Sequence, residues 1–468
     1  MTEQTLNPND ILTKAESLRG TLSTSFRDEI VKSLYNEAET IAKRAVKTAK
    51  DKKYDFDQKI DRLVTSPVVG LPIMLGLLGI IIWLTVSGAN VASAAIATVL
   101  FGIGDWGRAL FESTGFIPWW VTGFIWDGVY LGLAWVISVM LPPMMIFFPA
   151  FTFMEDLGYL PRVAFNMDWL FKKAGAHGKQ SLTMAMGFGC NAAGVIATRV
   201  IDSPRERLIA ILTNNFVPCN GRFPTLIMLA TVFVAAGFSP ALTSIVASGT
   251  VVGIVLIGVA FTFLMSWILS RTVLKGEASA FTLELPPYRR PNVSRIIYTS
   301  IIDRTLFVLW RAMQTAAPAG AIIWILANVP FGTSNLAAAI SGWLNPFGLL
   351  LGLDGVILLA YIIAIPANEI VVPTMMMMYM GAGMMVDGPA TNGAIFDLLV
   401  NGNGWTMLTA VNLMLFALLH NPCATTIMTI YKETKSYKWA TLSVVITLGT
   451  AFLVTFLTAS IARLLGWA

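Results

Sequence analysis

Charged residues are scarce in this 468-residue sequence. Asp, Glu, Lys and Arg together make up 13% of the chain, while hydrophobic types make up 56%. Because a soluble globular domain carries about 25% charged residues, this content is too low to cover a water-facing surface. It excludes a soluble enzyme, a nucleic-acid-binding protein and a disordered scaffold. The apolar segments are long and continuous, which predicts an all-α polytopic membrane protein rather than the alternating strands of a β-barrel.

Histidine, cysteine and nucleotide-binding motifs are also scarce. The two histidines, His177 and His420, are too few for a multi-histidine metalloenzyme or a haem centre, and three cysteines in or beside apolar segments do not indicate a disulfide framework. No G-x-x-x-x-G-K-[ST] phosphate loop occurs, because the similar stretch at 175–180 has a short glycine spacing and ends in Gln180. No nucleophile–base–orienter set appears either, so the sequence predicts a non-enzymatic chain. The first ten residues lack the features of a cleavable signal peptide.

The distribution of basic residues indicates topology. Lys and Arg cluster at 162–179, 199–207, 271–311 and 432–438. The positive-inside rule places these clusters and the N-terminus in the cytoplasm, and gives no reason to expect nucleic acid as a partner. Residues 313–431 contain no Lys or Arg, so the polar loop at 386–404, with Asp387 and Asp397, is predicted to lie outside.

Composition divides the chain into four predicted regions. They are a cytoplasmic helical arm at 1–63, a first transmembrane half at 64–275, a cytoplasmic linker at 276–304 and a second transmembrane half at 305–468. The arm, with a predicted helix over Phe26–Lys50, is interpreted either as a solvated helical hairpin or as a docking arm for a partner protein. The two halves are predicted to contain roughly 8–11 transmembrane passes, counting half-helices broken by proline and glycine.

Three polar breaks interrupt the apolar segments. They are GFGCNAAG at 187–194, NNFVPCNGRFP at 214–224 and HNPCATT at 420–426. Irregular polar backbone is tolerated in a bilayer only where it is buried in protein or lines a cavity, so such breaks favour a functional role. The alternative interpretation is close packing of helices through small residues. His420 and Cys423 are three residues apart, but a lone pair is a weak signal for a metal site.

The breaks recur in two halves of the chain. Pro-Cys at 218–219 resembles Pro-Cys at 422–423, and Gly-Cys-Asn at 189–191 resembles Pro-Ala-Asn-Glu at 366–369. Paired broken helices point to the central site of a transporter, so we expect two inverted gate repeats with broken or re-entrant helices. The thiols and the intramembrane acid Glu369 suit a borderline divalent ion such as Fe²⁺, Zn²⁺ or Mn²⁺. The methionine run at 375–378 is interpreted as core or lipid-facing filling.

From about Tyr54 to the C-terminus, the motifs resemble the membrane part of the ferrous iron transport protein B (FeoB) family. The motifs that carry the resemblance are DQKIDR at 57–62, EDLGYLPR at 155–162, GFGCN at 187–191, SPRERL at 203–208, VPC at 217–219, ELPPYR at 284–289 and NPCATT at 421–426. The resemblance implies that two gates of inverted orientation form a path for Fe²⁺ in the cytoplasmic membrane of a prokaryote. The residues it assigns to metal passage or gating are Cys190, Asn191, Cys219, Cys423, Asn368, Glu369 and Glu155.

The resemblance also sets expectations about partners. Members of this family usually begin with a GTP-binding domain and a helical regulatory domain, whereas residues 1–63 resemble at most the tail of the helical part. We therefore expect no nucleotide bound by this chain, Fe²⁺ as its transported substrate, and a separate GTP-binding protein docking on 1–63. Membrane lipid is a further expected partner, and a homo-oligomer is left open. Ala192-Ala193 and Asn220-Gly221 depart from the family pattern, which would alter gating or ion choice.

Three functions remain open on sequence grounds. The leading one is uptake of Fe²⁺, with transport of another divalent metal as its variant. The second is a nucleoside or other small-solute carrier, in which Asn191, Asn215 and Asn368 would hydrogen-bond a base or sugar. The third is a membrane receptor or assembly factor that senses metal without transporting it. Cysteines at both gates and Glu369 favour the ion.

Overall fold

The computed structural model describes residues 26–45, 52–66, 68–276, 287–332, 334–386 and 392–466. Within these ranges the regular secondary structure is helical apart from one antiparallel pair of two-residue strands, β1 (Pro330–Phe331) and β2 (Ser334–Asn335). The predicted all-α membrane fold is thereby confirmed. Residues 1–25 and 46–51 of the predicted arm, which include the end of the helix predicted over Phe26–Lys50, residues 387–391 of the predicted outside loop and part of the predicted linker lie outside the described residues.

The first half of the chain contains ten helices within the described ranges. They are α1 (Phe26–Ala45), α2 (Lys52–Val64), α3 (Gly70–Ser113), α4 (Trp119–Asp156), α5 (Tyr159–Lys173), α6 (Gln180–Gly189), α7 (Asn191–Ala197), α8 (Pro204–Thr213), α9 (Phe223–Leu229) and α10 (Pro240–Arg271). Helix α4 includes a π-helical stretch at Gly123–Tyr130, and a second one, Ala230–Val234, continues α9. Helix α1 confirms the helix predicted from Phe26, and its described side chains are exposed.

The second half contains eight helices within the described ranges. They are α11 (Val293–Asn328), α12 (Leu336–Leu350), α13 (Gly355–Ile363), α14 (Val371–Met380), α15 (Asn392–Asp397), α16 (Met407–Leu419), α17 (Ala424–Thr434) and α18 (Tyr437–Leu464). Helix α11 includes a π-helical stretch at Thr299–Leu306. Among the described residues, seven helical segments are long and apolar enough to cross a membrane, or eight if the pair α12 and α13, bent by 110°, counts as one. The predicted range also counted half-helices, and eight is its lower end.

Helix starts near the breaks are fixed by local capping signals. Ser203 precedes Pro204 at the start of α8, and its hydroxyl accepts a hydrogen bond from the Glu206 backbone N–H. Asp354 caps α13 in the same way through the Ile357 N–H, at 2.7 Å. These side chains satisfy backbone donors that a helix start leaves unpaired, so each half-helix begins at a defined residue.

Glycines allow α4 and α11 to pack closely. A methyl group added at Gly320 of α11 would lie 2.3 Å from the Gly128 carbonyl oxygen, and one at Gly132 of α4 would lie 3.0 Å from the Gly320 Cα. Small residues of this kind let transmembrane backbones approach each other where lipid supplies little hydrophobic driving force. Helices α4 and α11 therefore form a tight pair, and both contribute side chains to the site described below.

Three motifs that lie far apart in the sequence meet at one end of the molecule. The buried Arg162 guanidinium of α5 pairs with the Asp61 carboxylate of α2, with nitrogen–oxygen distances of 2.9 and 3.2 Å. The same guanidinium lies 4.0 Å from the centre of the Tyr288 ring and donates to the Gly158 carbonyl. A buried arginine needs such partners, because an unpaired charge there is costly. This contact fixes α2 and the segment before α11 against the membrane helices.

Candidate functional site

The first pair of breaks adopts one backbone conformation in both halves. Cys190, between α6 and α7, is extended with φ −156° and ψ 124°. Ala367, which precedes the 3₁₀ turn Asn368–Ile370, has φ −151° and ψ 114°. In each half a helix therefore stops, one residue extends, and an asparagine, Asn191 or Asn368, opens the next helical turn. The correspondence predicted between 189–191 and 366–369 has this geometric counterpart.

The Pro-Cys breaks also match each other. Cys219 has φ −86° and ψ 171° before the 3₁₀ turn Asn220–Arg222, and Cys423 has φ −62° and ψ 158° at the start of α17. In both, the residue before the cysteine is a proline, which lacks an N–H and disfavours a helical residue before it. Each cysteine therefore sits at the start of a new helical segment.

Six of the seven residues assigned from sequence line one small cavity, which we call the central cavity. They are Cys190, Asn191, Cys219, Asn368, Glu369 and Cys423. The cavity has a volume of about 40 Å³. It can hold one ion or a few waters, since a water needs only about 10–15 Å³ by a comparable measure. It is far below the roughly 300 Å³ at which pockets for organic ligands begin.

Two methionines of α4 also line the central cavity. Met140 and Met144 are buried, and their thioethers add soft sulfur to the three thiols. The sequence drew attention to the methionines at 375–378, and this pair was not predicted. The signal was present, because residues four apart share a face of a helix, but methionine is also a common filler of helical cores. Met375, Met376 and Met377 are buried in the core and are absent from the lining of the central cavity.

The carboxylate of Glu369 lines the central cavity and forms no ion pair with any described Lys, Arg or His side chain. It lies against the turn of the first half, because a methyl group added at Gly221 would be 2.3 Å from its Oε1 atom. Glycine is thus required at 221 by a close approach between the two halves. An acid that faces a cavity within the membrane without a cationic partner is suited to attract a mobile cation.

A buried arginine joins the two halves beside the central cavity. The Arg222 guanidinium donates to the carbonyl oxygen of Asn215 in the first half at 2.8 Å. It also donates to the carbonyls of Leu418, His420 and Asn421 in the second half, at 2.7, 3.0 and 3.4 Å. The last turn of α16 leaves carbonyls without intrahelical partners. Arg222 therefore satisfies backbone acceptors in both halves of the chain.

Asparagine side chains support the first break. The Asn214 amide donates to the Asn191 carbonyl at 3.0 Å. The Asn191 amide nitrogen is best oriented toward the carbonyls of Gly187 and Val217, at 3.1 Å each. The Asn191 side chain is thereby held by backbone carbonyls beside both breaks of the first half.

His420 does not line the central cavity. Its Nδ1 atom lies 3.1 Å from the Phe416 carbonyl and 2.9 Å from the Ala417 carbonyl, and its ring packs against Tyr361. Its Nε2 atom lies 3.4 Å from the side-chain oxygen of Asn368. The histidine thus packs behind the site and contacts one of its residues.

A larger cavity of about 580 Å³, which we call the basic vestibule, adjoins the central cavity. The two share Cys190, Val308 and Thr425 as lining residues. The basic vestibule extends to Glu155, the seventh residue assigned from sequence, and to Arg304. The Glu155 carboxylate pairs with the Arg304 guanidinium at 3.1 Å, so it lies apart from the other six.

A third cavity of about 330 Å³, the opposite vestibule, lies on the other side of the Asn220–Arg222 turn. Asn220 lines it, whereas the neighbouring Cys219 and Gly221 line the central cavity. One turn of chain therefore separates the opposite vestibule from the central cavity. In the described part of the chain, no group of three or more His, Cys, Asp or Glu side chains is placed to hold a metal ion.

Family comparisons match both halves. A family model described as Gate, nucleoside recognition, matches residues 137–233 and 309–437, and each stretch contains one pair of breaks. A model described as the C terminus of ferrous iron transport protein B matches residues 251–303. The Fe(2+) transporter FeoB of Staphylococcus aureus (strain MSSA476) is 28% identical over 473 residues, which cover 97% of this chain and 67% of the relative. These matches confirm the resemblance of the chain to the membrane part of the FeoB family.

Other FeoB relatives show the same extent of similarity. The Fe(2+) transporter FeoB of Campylobacter jejuni is 27% identical over 432 residues, covering 89% of this chain and 67% of the relative. A fusion of Fe(2+) transport protein A with Fe(2+) transporter FeoB from Porphyromonas gingivalis is 27% identical over 506 residues, covering 94% of this chain and 58% of the fusion. No solved structure matches the chain.

Proposed function

We propose that this chain transports Fe²⁺ across a membrane through the central cavity. The observation that carries the proposal is the convergence of four chain breaks on one cavity of about 40 Å³, lined by three thiols, two thioethers and one carboxylate. The chain's FeoB relatives are named as Fe(2+) transporters. Mixed sulfur and oxygen donors suit a borderline divalent ion, and Zn²⁺ and Mn²⁺ are the competing cargoes.

The proposed path runs through the three cavities in order. An ion enters from the opposite vestibule, passes the Cys219–Gly221 segment and reaches the central cavity. It then moves past Cys190 into the basic vestibule and leaves beside Glu155. The two halves act as inverted gate repeats, and the basic loops and the N-terminus lie in the cytoplasm of a prokaryotic cell.

Serine variants at the three cysteines test the sulfur path, by which we mean an ion path whose ligands include the cysteine sulfur atoms. We expect Cys190→Ser, Cys219→Ser and Cys423→Ser each to lower Fe²⁺ flux into proteoliposomes by roughly tenfold or more, since a hydroxyl is a harder and weaker ligand than a thiolate. Flux would be measured for Fe²⁺, Zn²⁺, Mn²⁺ and uridine. Unchanged Fe²⁺ flux in all three variants would exclude the sulfur path. Metal-independent uridine uptake would favour the solute carrier instead, and metal binding without flux would favour a receptor.

Methionine variants refine the same assay. Met140→Leu and Met144→Leu keep the volume of the side chain but remove the thioether. If the sulfur atoms contact the ion, Fe²⁺ flux should fall while Mn²⁺ flux, with its preference for oxygen ligands, changes less. Met376→Leu is the matched control, because Met376 is buried in the core and does not line the central cavity.

The arm is proposed to dock a GTP-binding protein. Helix α1 carries an apolar set of exposed side chains, Ile30, Leu34 and Ile41, which are 45%, 62% and 60% exposed. Exposed apolar side chains at near-helical spacing are typical of a surface that binds another protein. We expect the full chain in nanodiscs to recover a GTPase from a lysate of its own cell, and the triple variant with serine at these positions to lose it. Equal recovery by both chains would contradict docking on α1.

A further inference from the structure

A fourth cavity, of about 480 Å³, lies at the same end of the molecule as the basic vestibule and is lined by three arginines. We call it the arginine cavity. Arg289 comes from the segment before α11, and Arg295 and Arg304 come from α11 itself. Two acids, Glu155 and Asp156, also line it. Three guanidinium groups around one cavity form a local excess of positive charge.

The arginines differ in their partners. Arg304 is engaged by Glu155 at 3.1 Å and donates to the Thr152 hydroxyl at 3.0 Å. The Asp156 carboxylate accepts a hydrogen bond from the Asn292 backbone N–H at 2.8 Å. The side chains of Arg289 and Arg295 form no ion pair or hydrogen bond with any described residue. Two guanidinium groups with unused donors therefore face the arginine cavity.

We propose that the arginine cavity binds a phosphate group. Guanidinium groups match the geometry of phosphate oxygens through paired N–H donors, and several arginines around one cavity are the usual arrangement for such an anion. The Thr152 and Thr299 side chains, which also line the cavity, supply hydroxyl groups near the arginines. The phosphate is carried either by a soluble ion or by the headgroup of an anionic lipid, since the chemistry of recognition is the same for both.

Occupancy of the arginine cavity has a consequence for the ion path, which rests on the proposed function. Glu155, Pro161 and Arg304 line both the arginine cavity and the basic vestibule. A phosphate bound by Arg289 and Arg295 competes with Glu155 for the Arg304 guanidinium. When the ion pair loosens, the Glu155 carboxylate is available to a cation in the basic vestibule. Anion binding is thereby coupled to movement of the cation from the central cavity into the basic vestibule.

Binding is tested without any metal. The protein would be placed in nanodiscs of phosphatidylcholine and titrated with inorganic phosphate, with thermal unfolding as the readout. The double variant Arg289→Gln/Arg295→Gln is compared with Arg290→Gln, which removes a neighbouring exposed arginine that does not line the cavity. We expect saturable stabilisation of the wild type and of Arg290→Gln, and at least about a tenfold weaker response in the double variant.

A second arm separates the two sources of phosphate. If inorganic phosphate has no effect but phosphatidylglycerol in the nanodisc stabilises the wild type and Arg290→Gln more than the double variant, the ligand is a lipid headgroup. Equal responses of all three proteins in both arms, or no response in either arm, would overturn the site. An unfolded double variant would be replaced by the two single variants, which are expected to show intermediate affinity.

Flux measurements test the coupling. The anion that binds should raise Fe²⁺ flux in the wild type and in Arg290→Gln, and leave the double variant unchanged. Fe²⁺ flux that does not change when the anion binds would overturn the coupling, but it would not contradict anion binding at the arginine cavity. A wild type with no Fe²⁺ flux in any condition would overturn the proposed function. The phosphate titration would still show whether the arginine cavity binds phosphate.

Discussion

Replacing Arg222 with methionine is expected to lower the free energy of unfolding by about 3–5 kcal/mol, because each buried carbonyl left without a donor costs about 1–3 kcal/mol. Arg222 is 1% exposed, and its guanidinium satisfies four backbone carbonyls, one in the first half and three in the second. A hydrogen bond to a charged group contributes about 1.5–3 kcal/mol, and no water in the bilayer core replaces it. The carbonyls at the end of α16 would be left buried and unpaired.

Thermal unfolding in nanodiscs measures this effect. Arg222→Lys is expected to be intermediate, because a compact ammonium keeps the charge but cannot reach all four carbonyls in the geometry of a planar fork. Arg271→Met is the matched control, since Arg271 is exposed at the end of α10 and its main described contact is with the Trp267 ring. Equal melting temperatures for Arg222→Met and Arg271→Met would show that Arg222 does not join the two halves.

The contrast between Arg222 and the cysteines shows what could be predicted from sequence. Hydropathy and the positions of proline and glycine are local signals, so they predicted the all-α membrane fold and located the breaks at Cys190, Cys219 and Cys423. The partners of Arg222 are backbone carbonyls, which every residue carries. No residue type could indicate that this arginine binds the end of α16, almost two hundred residues away in the sequence.

Two further features could be recognised only once the packing of the helices was known. Met140 and Met144 have the spacing of one helical face, but that spacing does not say whether the face meets a cavity or a neighbouring helix. Glu155 was grouped with the other site residues because all of them match family motifs. Its pairing with Arg304 depends on how α4 lies against α11, and only the three-dimensional arrangement places it in the basic vestibule.

Replacing Glu369 with glutamine is expected to lower Fe²⁺ flux by roughly 10–100-fold at concentrations below saturation. Two unit charges about 4 Å apart attract by about 4 kcal/mol at an effective dielectric constant near 20, and loss of even half of that attraction is more than tenfold in binding. Glutamine keeps the shape of the side chain, so the central cavity should remain intact. Thermal stability should not fall, because a neutral amide within the membrane is less costly than a carboxylate without a cationic partner.

The pairing of these two readouts distinguishes a role in transport from a role in folding. Asp105→Asn is the matched control, since Asp105 is an exposed acid on α3 that lines none of the four cavities, and its flux should stay near that of the wild type.

Gly221→Ala is an independent test, because its methyl group would lie 2.3 Å from Glu369 Oε1 and must displace the carboxylate without removing its charge. If the position of the charge matters, Gly221→Ala also loses flux. If the Fe²⁺ fluxes of Glu369→Gln and of Gly221→Ala both stay within about twofold of the wild type, the change is much smaller than the roughly tenfold loss expected. The carboxylate would then not bind the ion in transit.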